Sequence, residues 1–511
     1  MALLVGITLQ TWSTVILPIG LAVYWFLWII YARTLHPLAT VPGPFWASIS
    51  RTWMMYRMYR GDQEIVQRKL HEQYGPLLRV APHEVQSNDP AEIAKIYSTQ
   101  RPLEKTDFYS VFRAVAIPSR PDMFTSINEK EHAVYRKLVS GVYSMSNILK
   151  NEDSVDGCVT LFVERLRGFA DRNEAFDFGL WLEMYTYDVI GAVFFGKQFG
   201  FLQDSHDHGN YIAAVHKAMP FLSFIAQAPS YARGVLMATA IFVPPLLKAI
   251  IAVDNIRKTA LRETADAMRR SQEDTFKRHD MISLLTAIVH QKGETEGFTR
   301  NEVTNEMWTA VMAGADSTAI ALRAIFYYLM KHPAVMKKVH DEIDYYTALG
   351  VLGYPVKYND AVKLPYLTAV VKEAMRIFPS FQASMQRYAP PEGVKVAGVL
   401  IPAGYRIGMN PGCVQYSREI FGHDAYVFRP ERWLESEERS RFMDRALINF
   451  GAGTRTCTGK HLAMVETYKI TVEILRNFDV EMAHDEPWTT QNATFVMQDN
   501  VICRFKRRQI R

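Results

Sequence analysis

The chain has 511 residues, 49% of them hydrophobic and 22% charged, with a formal net charge of +5. That length and apolar content can bury a large core in one big domain or two, while the mild charge, with no basic run interleaved with aromatics, argues against nucleic acid as a partner. Cys158, Cys413, Cys457 and Cys503 stand far apart, so neither a disulfide framework nor C-x-x-C zinc spacing is present, and a reducing compartment fits.

No charged side chain precedes Arg33, and residues 15–31 form an unbroken apolar run that includes Tyr24, Trp25, Phe26 and Trp28. This is near the short end of the roughly 17–25 residues that span a bilayer. A cleaved signal peptide needs a basic start and a small-residue cleavage site. The first four residues and Trp28 to Tyr31 offer neither, so residues 1–32 are expected to be an uncleaved anchor. Arg33 follows the span, with Arg51, Arg57 and Arg60 beyond it, which predicts a cytosolic location for everything after Arg33. Pro37, Pro42 and Pro44 make residues 33–44 a stiff, non-helical spacer. No repeat or long polar linker divides residues 45–511. The sequon Asn492, Ala493, Thr494 is expected to stay unmodified on the cytosolic side.

Within the body, residues 77–80, 394–401 and 406–409 read as strands. Helical periodicity covers 158–169, 180–195, 253–268, 303–330, 334–346 and 366–377. A mainly α fold with small β-sheets is predicted. The helix expected over 301–331 is nearly all apolar, yet its middle reads Ala313, Gly314, Ala315, Asp316, Ser317, Thr318. A helical Gly costs about 1 kcal/mol relative to Ala, and a buried Asp needs a partner or a task. Gly beside Ser or Thr is a common point of helix distortion, so a local opening is expected here, freeing a carbonyl and making room for a small ligand. The plainer alternative is a solvent-facing Asp316. Farther on, Glu373 and Arg376 share a helix face, although most such pairs are surface decoration.

The most informative segment is residues 450–459, a glycine-rich loop around Cys457. Gly451, Gly453 and Gly459 permit tight turning and close approach to a flat ligand. Arg455 lies two residues before the thiol and can hold an anion. Backbone N–H groups of the loop and the start of a following helix favour a thiolate. Such a thiolate is a good axial ligand for haem iron.

This loop resembles the haem-binding loop of the cytochromes P-450, the haem-thiolate monooxygenases. Phe450, Gly453, Arg455, Cys457 and Gly459 fall at the family's fixed positions, and Ala463 and Glu466 match its usual continuation. The resemblance covers the chain after the proline-rich spacer, which itself resembles the hinge of microsomal members. It implies the cytochrome P-450 fold behind an N-terminal transmembrane helix, and heme b with Cys457 as axial ligand. Phe450, Gly451, Gly453 and Gly459 would shape the cofactor loop. Arg455, Arg136, His132 and Arg387 would serve the haem propionates. Asp316 and Ser317 would relay protons, with Ser317 standing where the family usually has Thr. Glu373, Arg376 and Arg432 would form a buried structural triad. Segments 107–124, 220–243, 378–385 and 495–498 would face the substrate, and 220–243 would also touch the bilayer. Residues 176–179, 188–191 and the cysteine loop resemble pisatin demethylase-like and benzoate hydroxylase-like fungal enzymes. The implied reaction inserts oxygen from O2 into a lipophilic small molecule, with electrons from NADPH through an NADPH-cytochrome reductase, at the endoplasmic reticulum membrane. Two other readings are a haem-thiolate isomerase or lyase, which would not require NADPH, and a non-enzymatic haem carrier or sensor, which would show no substrate-induced spectral change.

Overall fold

A computed structural model describes residues 12–114, 117, 119–270 and 279–508. The first eleven residues of the expected anchor lie outside these, as do residues 115, 116 and 118 of the expected substrate segment. The main helices are α1 (Leu17–Thr34), α2 (Glu129–Val139), α3 (Glu152–Arg172), α4 (Phe178–Phe195), α5 (Tyr211–Gln227), α6 (Ser230–Ala238), α7 (Pro244–Arg270), α8 (Met281–Glu296), α9 (Arg300–Lys331), α10 (Pro333–Ala348), α11 (Pro365–Ile377) and α12 (Lys460–Asn477); the six periodic stretches fall in α3, α4, α7, α9, α10 and α11, which run beyond them at one end or both. The Asp177 carboxylate accepts from the Leu180 N–H at the start of α4, and Thr299 with Glu302 forms a capping box on α9.

The strands are β1 (Leu77–Ala81), β2 (Glu84–Ser87), β3 (Phe176–Asp177), β4 (Arg387–Tyr388), β5 (Val394–Val396), β6 (Val399–Ile401), β7 (Arg406–Gly408), β8 (Phe478–Met482), β9 (Thr489–Ala493), β10 (Phe495–Asp499) and β11 (Ile502–Arg507). They form small sheets in the orders β1-β2-β7-β4 and β3-β11-β8, with hairpins β5/β6 and β9/β10. The single strand expected over 394–401 is a hairpin. Ala397 and Gly398 turn it with positive φ, and Val394 pairs with Ile401. The apolar character of that run conceals the turn.

Among the described residues, two unbroken helices are long and apolar enough to cross a membrane. Trp12–Thr34 has only 6% of its apolar window covered by protein, whereas Arg300–Lys331 is 61% covered and is a core helix. The spacer that follows α1 is non-helical and is tied to the body. The Arg79 guanidinium donates to Ala32 O at 2.7 Å and lies 3.4 Å from Leu38 O. Trp28 Nε1 donates to Ile49 O at 2.9 Å. The sequon asparagine is buried in β9, and its amide nitrogen donates to Glu64 and to Gln382 O. A glycan would have to break both bonds, so burial alone predicts an unmodified Asn492 on either side of a membrane.

Helix α9 runs through the centre of the core and crosses α4 closely. The crossing explains Gly314: a Cβ there would sit 2.7 Å from Ile190 Cδ1. The expected local opening is not present. The helix is continuous from Arg300 to Lys331, and the glycine serves helix contact instead.

Candidate active site

Beside α9 lies a chamber of about 500 Å³. Its walls are largely apolar, with Ile190 and Phe194 from α4, Leu222 from α5, Met237 from α6, and Phe381 and Phe495 from the chain after α11 and from β10. The segments expected to face a substrate all contribute to it.

Cys457 faces this chamber. The loop holding it is fixed by backbone bonds: Cys457 N–H donates to Phe450 O at 2.8 Å and Gly451 N–H to Ile448 O at 3.0 Å. Gly451 and Gly453 adopt positive φ. A Cβ on Gly453 would lie 2.1 Å from the Tyr97 carbonyl oxygen, while one on Gly459 would only touch the Cys457 sulfur at 3.8 Å. Gly453→Ala is therefore expected to cost at least about 2 kcal/mol and to lower the haem-to-protein ratio of purified material. Thermal unfolding and haem absorbance measure both. Burial pushes the Cys457 thiol up, while the N–H groups of Gly459 and Lys460 and the charge of Arg136 pull it down.

Basic side chains gather at one end of the chamber. Lys105, Arg136, Arg387 and Arg455 all line it. Arg136 donates to Thr456 O at 2.7 Å, and Arg387 to Gln386 O and Tyr109 Oη. Arg455 is held by the Glu129 carboxylate at 2.5 Å and by Ser126 O and Ile127 O. His132 is buried beside them, and neither ring nitrogen has a hydrogen-bond partner among the described residues. Burial first, and then Arg455, Lys105, Arg136 and Arg387, depress its imidazole to about 3. Burial and two of the same cations also depress the Lys105 ammonium strongly. A cation cluster with an orphaned imidazole, on the same apolar chamber as one thiol, fits a flat ligand with an apolar body and two carboxylates. Haem meets that description. Lys105 has no counterpart among the sequence-derived residues, because it stands in an aperiodic stretch that marks it in no way.

The two residues expected to relay protons separate. Ser317 lines the chamber. Its hydroxyl donates to Ala313 O at 2.8 Å, and Thr318 bonds Gly314 O in the same way at 2.9 Å. The carbonyl of Ser317 accepts from Ser380 Oγ at 2.7 Å. Asp316 turns away from the chamber into a small adjoining cavity, which Ser317 also lines. There it meets Glu183 and Tyr187 of α4, His216 of α5 and Arg323 of α9. Burial, then the nearby Glu183 charge, pushes the Asp316 carboxyl up to about 7.

Glu373 lies outside the chamber lining at complete burial. Its carboxylate accepts from Arg376 Nε at 2.9 Å, Arg376 Nη2 at 2.8 Å, Arg432 Nε at 3.0 Å, Trp433 Nε1 at 2.9 Å and Arg429 N–H at 3.0 Å. The three expected triad members therefore meet, and Trp433 joins them.

A helical body whose long central helix, one cysteine and a set of cations line the same chamber is the arrangement a haem-thiolate protein would need. A model of the cytochrome P-450 family matches residues 41–502. The chain belongs to the cytochrome P-450 family and is a monooxygenase of it. It is 53% identical over 374 residues to cytochrome P-450 monooxygenase ACRTS1 of Alternaria alternata, covering 73% of this chain and 99% of that one. It is 40% identical to cytochrome P-450 monooxygenase gsfF of Penicillium aethiopicum, covering 95% and 97% respectively. Pisatin demethylase of Fusarium vanettenii is 30% identical, covering 94% and 91%. The expected fold and the likeness to fungal pisatin demethylase-like enzymes are thus borne out.

Proposed function

We propose that this chain is a membrane-anchored monooxygenase that inserts one oxygen atom from O2 into a lipophilic small molecule in fungal secondary or aromatic metabolism. The observation that carries the proposal is the single apolar chamber shared by Cys457, the cation cluster and the Ser317 face of α9. Cys457 would hold the iron of heme b, while Arg136, Arg387, Arg455, Lys105 and His132 would meet its propionates. Bound there, the haem supplies the oxygen-activating chemistry. The chain's own task is to enclose the substrate in apolar walls, exclude water and deliver protons. Electrons would come from NADPH through a partner reductase, with the body on the cytosolic face of the endoplasmic reticulum. Tyr231, Val235, Ile241 and Phe242 project from the α6–α7 region at 64–87% exposure, and they would give the bilayer a second contact beside α1. Comparing the metabolites of a deletion strain with those of its parent tests the substrate assignment. A product that forms without NADPH would overturn the reaction class.

In this reading Ser317 presents its hydroxyl oxygen to the chamber as an acceptor, because its proton is committed to Ala313 O. It would hold a water that carries the proton onward from Asp316. Ser317→Ala should leave haem content and NADPH consumption near the parent level. Product per NADPH should fall severalfold, with the difference recovered as hydrogen peroxide. Ser317→Thr should keep the parent ratio. An unchanged ratio in Ser317→Ala would reduce Ser317 to a helix serine bonded to its own backbone.

A further inference from the structure

Behind Ser317, the cavity of about 20 Å³ is lined by Glu183, His216, Asp316 and Arg323, with Phe495 and Met497 of β10 closing it. One ligand-capable atom from each of Glu183, His216 and Asp316 lies within 4.8 Å of the others. Glu183 Oε1 accepts from His216 Nε2 at 2.8 Å and pairs with Arg323 Nη2 at 2.7 Å. Arg323 is anchored in turn on Gly179 O. Glu183 Oε2 and Asp316 Oδ1 are buried with no hydrogen bond of good geometry among the described residues, and the Tyr187 hydroxyl faces Asp316. Two such carboxylate oxygens and a cavity above the roughly 10–15 Å³ that one water needs describe a buried water site. With Arg323 and a protonated His216 already balancing the acids, the cluster is charge-satisfied and does not call for a metal ion. The His216 side chain is 30% exposed, so this network reaches solvent at one end and the Ser317 wall of the chamber at the other.

We infer that His216 is the proton port of this enzyme, passing protons from solvent through a water held between Glu183 and Asp316 to the chamber wall at Ser317. This rests on the monooxygenase reading and adds the route by which its protons enter. The imidazolium turns its Nε2–H from Glu183 to the bridging water and gives it that proton, and the water gives one of its own to Asp316 Oδ1. Asp316 releases a proton to the chamber side, and the neutral imidazole, still carrying its Nδ1 proton, swings Nε2 to solvent, takes a proton there from bulk water and returns to Glu183. Burial opposes the charge on His216, yet Glu183 pushes the imidazole up to about 9. Burial also opposes the charge on Glu183, but Arg323 and His216 outweigh it, so the proton is not trapped there. The charged and titratable groups facing the cluster are Glu183 and Tyr187 from α4, His216 from α5 and Asp316 and Arg323 from α9, with Asp207 farther off beside Tyr187. The α5 helix that carries His216 also supplies Leu222 to the chamber, so any shift of α5 on substrate entry would move the port.

The test uses the full-length haem-loaded protein in membranes with its reductase. Infrared difference spectra across a pH titration should show a carboxylic C=O band that is absent from Asp316→Asn and lost with a midpoint near pH 7. In His216→Phe the midpoint should rise by about one unit or more, because the imidazolium that favours the Asp316 carboxylate is gone. NADPH oxidation should be nearly flat from about pH 6 to 8 in the parent. In His216→Phe it should fall about tenfold per unit of rising pH, since supply then depends on free hydronium. His216→Gln keeps a donor toward Glu183 without a titratable proton. It should behave like His216→Phe and replaces it if the latter does not fold. An unmoved infrared midpoint, or a moved midpoint with an unchanged pH profile of NADPH oxidation, overturns the port. A parent protein whose reduced carbon monoxide complex lacks the thiolate spectrum would instead overturn the monooxygenase reading.

Discussion

Cys457→Ser is expected to give a protein whose reduced carbon monoxide complex has no thiolate-type spectrum. In the chain alone, burial outweighs the Gly459 and Lys460 N–H groups and the Arg136 charge, and the thiol lies above its usual range. The positive charge of a bound haem iron would favour its thiolate. A serine hydroxyl is far less acidic, and its oxygen cannot donate electron density as sulfur does. Haem retention need not vanish, because the cation cluster around His132 and the apolar walls remain in place. The informative reading is therefore the spectrum and not haem content. Persistence of the parent spectrum would remove Cys457 from the iron.

Glu373→Gln is expected to cut expression and haem loading sharply. One carboxylate accepts from Arg376, Arg432, Trp433 and the Arg429 backbone, with Glu373, Arg376 and Arg432 almost wholly buried. An amide cannot accept on its nitrogen side, so at least one donor loses its partner while two guanidinium groups keep their charge. Breaking such a buried pair costs about 3–5 kcal/mol. The loss should appear as a lower unfolding temperature and a lower haem-to-protein ratio. Full loading with an altered product would make Glu373 a substrate-site residue.

What the sequence made readable is what local spacing encodes. The long helices follow from apolar period, and the loop around Cys457 follows from five fixed positions within ten residues. Arg136 and Arg387 reach the same chamber as Arg455, as the family resemblance implied. The partners of Asp316 could not be read this way, since Glu183, His216 and Arg323 come from α4, α5 and α9, and no local spacing relates them. Only the crossing of three helices brings them together. Gly314 shows the opposite failure. In one dimension it marks a weak point in a helix, whereas in space it is the gap that receives Ile190. Ser317 was legible as a hydroxyl facing the chamber, but not its bond to Ala313 O, because that depends on a rotamer.

The bonds from Arg79 to Ala32 O and Leu38 O and from Trp28 to Ile49 O turn the apolar helix into a lever arm. The 23 residues from Trp12 to Thr34 would reach about 35 Å at 1.5 Å per residue, somewhat more than the roughly 30 Å hydrocarbon depth. Such an excess is commonly absorbed by leaning. With its inner end clamped by a buried guanidinium, the arm cannot lean alone, so the whole body would pitch with it. In the membrane-anchored reading proposed above, the thickness of the host membrane would then set the attitude at which the enzyme meets both the lipid and a partner reductase.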